Sequence, residues 1–119
     1  MKRPELQVEI RFVATEEGGR RAPLDLANGH YRPIAILGIH RGPVSPATSE
    51  DEAVARGIFG VSVHSGPSLV EPGSTVTASL FVTMYEPGYE RLISAGEFTL
   101  LEGSRVVGHG RVLGVAGAV

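Results

Sequence analysis

Apolar and polar residues alternate strictly along Leu6-Gln7-Val8-Glu9-Ile10-Arg11-Phe12, the two-residue period of a strand with one buried and one wet face. A second strand is predicted over Tyr31–His40. Within it Ile34-Ala35-Ile36-Leu37 is apolar at consecutive positions, which implies burial on both faces or closure of a barrel, and Gly38 reads as a bulge. Ile58–His64 is a third strand. Thr75–Met84 is a long fourth, its Thr/Ser and aliphatic positions separated by parity. Glu97–Leu101 and Arg105–Val112 complete the set as a hairpin across the turn Glu102-Gly103-Ser104.

Sixteen glycines and eight prolines punctuate the chain, leaving little room for a helix of ordinary length. Thr15–Pro23 loops out, because paired glycines and a proline favour turns and interrupt a ladder. Arg41–Gly57 is a Pro/Ser/acidic excursion in which Ser49 and Glu52 have capping-box spacing, with acids first and Arg56 last, so a short helix is expected there. Pro87-Gly88 breaks the fourth strand, and the small residues of 114–119 are expected to fray. The fold class that follows is all-β: a small six-stranded antiparallel closed barrel, closure being the usual way such a sheet removes its edges. The 119 residues amount to one domain, 1–119, with a core of about 6–113.

Composition narrows the function classes. No apolar run approaches the roughly 18 residues of a membrane span, and the stretch after Met1 lacks the apolar core of a secretory signal. There is no cysteine, so no disulfide or thiolate site is available and a cytoplasmic protein is expected. A net charge of −2 opposes a broad basic field. Residues 1–41 nevertheless hold seven basic and five acidic groups, against four and eight in 42–119, which places any anion site in the first third.

Candidate chemistry is sparse. His30, His40, His64 and His109 match no zinc spacing, and neither Ser62 nor Ser65 sits in a nucleophile elbow. The run Gly108-His109-Gly110-Arg111-Val112-Leu113-Gly114 has its third glycine one position late for a dinucleotide fingerprint, with no following helix. No phosphate loop exists, since Gly18-Gly19-Arg20-Arg21 lacks its spacing and lysine. No catalytic residue, metal, nucleotide or other cofactor is therefore expected. What remains is Glu16-Glu17-Gly18-Gly19-Arg20-Arg21 with Gly29-His30-Tyr31-Arg32-Pro33, whose arginines suit an anion such as an RNA phosphate or an acidic protein surface. The competing expectation is that Glu16 and Glu17 pair with those arginines and the loop is merely solvated.

Four motifs in series carry a resemblance: Glu16-Glu17-Gly18-Gly19-Arg20 with Pro23, then Tyr31-Arg32-Pro33, then Glu71-Pro72-Gly73, then Glu102-Gly103-Ser104-Arg105-Val106-Val107-Gly108-His109-Gly110. In order and general spacing they resemble the C-terminal barrel, the third domain, of bacterial elongation factor Tu, over about residues 6–113. The resemblance implies a six-stranded antiparallel barrel that holds the T stem of aminoacyl-tRNA and docks against a GTPase domain and an exchange factor. It places Arg20 and Arg21 where the family's loop meets the RNA backbone, and Glu102 and Gly103 at the hairpin beside it. The sequence departs from the family at Arg21, which replaces a histidine, at Asn28-Gly29-His30, in the longer 41–57 excursion, and in 81–96, where no lysine stands. The GTPase and middle domains are missing from this chain.

Two functions follow as expectations. The first is a non-enzymatic module that binds an unknown protein partner. The second is RNA backbone binding through the Arg20, Arg21 and Arg32 edge, with His30, Glu102 and Gly103 beside it. An enzyme or small-molecule binder with a novel site is a third class, since fold does not settle function.

Overall fold

The structure is a computed structural model that describes residues 5–84 and 88–116; residues 1–4, 85–87 (with Pro87 of the expected break) and 117–119 (the end of the tail) lie outside the described residues. The strands are β1 (Glu5–Phe12), β2 (Ile34–Leu37), β3 (Ile58–Ser65), β4 (Thr75–Met84), β5 (Glu97–Glu102) and β6 (Arg105–Ala116). All pairings are antiparallel, and the order β1-β4-β3-β2-β5-β6 closes on itself as a barrel. Closure gives every strand two neighbours, so no row of backbone donors is left as an edge.

The alternation in β1 aims Leu6, Val8, Ile10 and Phe12 inward, where they meet Phe59, Val61 and Val63 of β3, Leu80 and Val82 of β4, and Phe98 and Leu100 of β5. The barrel interior is therefore filled with side chains. A bridge between Leu24 and Val70 and the buried Leu26 bring loop residues into the same core.

The doubly apolar stretch Ile34–Leu37 is explained by a second, smaller cluster on the outside of the barrel. Ala35 and Leu37 join the interior, whereas Ile34 and Ile36 face outward and pack with Val44, Ala53, Ile58 and Leu101. Val44 and Ala53 belong to the excursion, which folds back over the sheet and contains α1 (Glu50–Arg56). The Ser49 side chain accepts the Glu52 N–H at 3.1 Å, as its spacing predicts. The Glu52 carboxylate does not return to the Ser49 backbone; it accepts from the Thr48 hydroxyl and pairs with Arg56 at 2.9 Å.

Four expectations are corrected. The second strand is four residues long rather than spanning Tyr31–His40. Tyr31 makes only an isolated bridge to Val63, and Gly38, with φ +83°, turns the chain out of the sheet instead of bulging within it. A helix that the glycine and proline content argued against, α2 (Gly88–Ala95), lies against β2 and β5 and buries Leu92. The residues 114–116 extend β6 and pair with Glu5, Leu6 and Gln7 of β1.

Candidate functional site

Arg20 is the first expected contact residue, and the structure commits it internally. The 3-10 turn Thr15–Glu17 and the glycine pair after it reverse the chain. Gly19 has no room for a side chain, since a Cβ there would lie 2.0 Å from the Val13 carbonyl oxygen. Arg20 then reaches the β5–β6 hairpin, where its Nε stands 2.7 Å from Glu102 Oε2, while its Nη1 donates to the Ala22 and Pro23 carbonyls at 3.1 and 3.3 Å. The Tyr31 hydroxyl donates to the same Glu102 oxygen at 2.7 Å, and the guanidinium lies 6.0 Å from the centre of the Tyr31 ring. Burial first, and then the Glu102 carboxylate, push the Tyr31 hydroxyl far above its ordinary value of 10.0. The phenol is thus a fixed donor. Arg20 pairs with Glu102, not with Glu16 or Glu17, which corrects the local-pairing expectation.

The other expected residues are scattered by comparison. Arg21, His30 and Arg32 are exposed, and the His30 N–H is spent on the Asn28 side chain at 2.8 Å within a run of Asx turns that begins at Asp25. Gly103 has φ +64° and makes the hairpin turn that presents Glu102. Three of the six therefore form or present a lock between loop 13–33 and the hairpin, and three are surface groups.

A different place has the form of a site. The register aligns Ile36, Thr99, His109 and Arg11 as one outward row across β2, β5, β6 and β1. The chain after Gly38 crosses this row and is pinned to it. Buried Thr99 accepts the His40 N–H at 2.9 Å and donates to the Gly38 carbonyl at 2.8 Å, so its hydroxyl is satisfied both ways. The His40 carbonyl faces His109 Nε2 at 2.8 Å, and since a carbonyl only accepts, that nitrogen carries the proton. Val44 N–H donates to the Ser104 carbonyl at 3.0 Å. Between this pinned segment and the turn after β1 lies an open groove of about 590 Å³. Arg11, Val13 and Glu17 line one part of it, Arg41 and Pro43 another, and Ser104, Arg105 and His109 the remainder.

No protein-family model and no curated protein matches the chain. Among the described residues no group of three or more His, Asp and Glu side chains is placed to hold a metal ion, and no helix is long and apolar enough to cross a membrane.

The groove residues Arg11, Arg41, Arg105 and His109 were missed as site residues by sequence reasoning, although parity did expose Arg11. Arg11 stands at a polar, outward position of β1, and His109 pairs with it across the β1–β6 ladder. Arg41 joins them only because the excursion folds back, which no local pattern announces.

Proposed function

We propose that this domain is a non-enzymatic binding module that engages a partner protein through the face carrying the groove. The observation that supports this reading is the groove itself: an open cleft of about 590 Å³ whose walls are anchored by His109, Thr99 and Ser104 before any partner arrives. The histidines and the threonine that surround it are engaged in holding backbone, so they supply a scaffold rather than an acid–base pair. The resemblance to the third barrel of elongation factor Tu is part of the proposal, because in that family this barrel binds and another domain performs the reaction. A cytoplasmic location belongs to the same reading and rests on the absence of cysteine.

RNA backbone binding is the second reading. Arg21 and Arg32 favour it, since both are exposed cations of loop 13–33; Arg20 does not, being held by Glu102.

Affinity capture from native lysate with parallel variants separates the two. A protein retained by the unmodified domain and by R21A/R32A, and lost by R41E, fits docking in the groove. A protein retained equally by R41E removes the groove from the interface. RNA captured at low salt and lost with R21A/R32A replaces the first reading with the second.

A further inference from the structure

The groove gathers cations that the fold itself does not use. Arg20, Arg56 and Arg111 each pair with a carboxylate, on Glu102, Glu52 and Glu9 respectively, and Arg91 donates to the Val54 carbonyl. Arg11, Arg41 and Arg105 line one groove, and among the described residues no carboxylate lies within ion-pair distance of any of them. They converge from three separate parts of the chain: the end of β1, the excursion, and the start of β6. This happens in a chain with more acids than bases, and with Glu17 on the rim of the same cleft. Three unpaired guanidiniums in one cleft repel one another, and a bound oxyanion relieves that repulsion while accepting paired N–H donors.

We infer that this groove is an oxyanion site, which takes a phosphoryl or carboxylate group carried on an apolar body. The inference rests on the proposed docking groove and names what the partner must present there. Val13, Pro43 and Val106 supply the apolar contact beside the three arginines. His109 forms part of the lining with its Nε2 proton already given to the His40 carbonyl, so it fixes the loop that carries Arg41. Because that loop is held in place without ligand, binding orders side chains rather than backbone. The volume, about 590 Å³, exceeds what a bare inorganic anion fills and suits an acidic or phosphorylated side chain with its neighbours.

The test titrates the full chain with phenyl phosphate and, separately, with benzoate, at constant ionic strength, following backbone amide shifts. Saturable shifts confined to residues 11–18, 41–44 and 104–109 support the site. A tighter fit for phenyl phosphate assigns it to a phosphorylated partner, and an equal or tighter fit for benzoate assigns it to carboxylates. R41Q and R105Q should each weaken the better probe about tenfold, the worth of one charge-assisted contact, while R21Q and R32Q leave it unchanged. All four positions are exposed, so the amide spectrum itself reports whether each variant keeps its fold. Shifts that never saturate with either probe, or that weaken equally with R21Q, overturn the inference. A partner protein lost with R41E while neither probe binds leaves the docking groove standing and removes only the oxyanion. Probe binding combined with partner capture unaffected by R41E does the reverse.

Discussion

Arg20 and Glu102 are separated by 82 positions in the chain and by 2.7 Å in space, and the Tyr31 hydroxyl meets the same carboxylate oxygen. This three-part contact ties the first long loop to the last hairpin. It also engages Arg20, one of the two loop arginines expected to meet a partner, in a contact within the fold.

Glu102→Ala should destabilise the domain by about 2 kcal/mol in urea denaturation, since it strips two donors of one acceptor. The value is modest because the Arg20 and Glu102 side chains are 26% and 33% exposed and water screens the pair. Tyr31→Phe should cost about 1 kcal/mol. The two effects should fall short of adding in the double variant, because both remove the same hydrogen bond.

The domain should lose stability at alkaline pH through Tyr31. Its folded-state value is raised above the ordinary 10.0, so the contribution is complete below that pH and declines as the pH rises beyond it, where only the unfolded chain releases the proton. Spectrophotometric phenol titration should show one tyrosine ionising only with unfolding, and Tyr31→Phe should abolish that component.

Acid should loosen the excursion. The Thr48 hydroxyl, then Arg56, hold the Glu52 carboxyl below its ordinary 4.5. The lowered value stabilises the fold above that pH, and the effect is lost as pH falls through 4.5 toward the folded-state value. Amide protection in 44–57, taken relative to the intrinsic exchange rate at each pH, should fall on acidification in the native protein, and that loss of protection should disappear in Glu52→Gln. Ser49→Ala should cost about 1 kcal/mol at neutral pH, the usual worth of an N-cap.

Gly110→Ala should be among the most damaging small substitutions. A Cβ at this position would come 2.2 Å from Phe98 Cζ, and Phe98 is fully buried in the barrel core. The ring must move within a close-packed interior, at a cost of about 2–3 kcal/mol. Phe98→Leu should recover part of that loss in the double variant, measured by denaturation, although it is destabilising alone.

Local patterns made much of the architecture legible. Leu6 to Phe12 announces its buried face by parity alone, Ser49 caps α1 as its spacing implies, and Glu102-Gly103-Ser104 turns the last hairpin. The helix α2 had a signal, in Tyr89, Leu92 and Ile93 at helical spacing, but eight residues beside proline and glycine carry little periodic information. The candidate site was less legible. The glycine-flanked arginines of 18–21 stand out in the chain, yet Arg20 turns inward to a carboxylate on the far hairpin.

The sequence by itself determined which faces of the strands are apolar, and hence an all-β barrel, because burial periodicity is written residue by residue. Only the tertiary structure decided which cations are spent and which are available. Arg20 finds Glu102 through barrel closure, whereas Arg11, Arg41 and Arg105 gather in one groove, with no carboxylate at ion-pair distance among the described residues, because the excursion is pinned back by Thr99, His109 and Ser104. Pairing of charges depends on distances between segments remote in the chain, and those distances exist only once the sheet has closed.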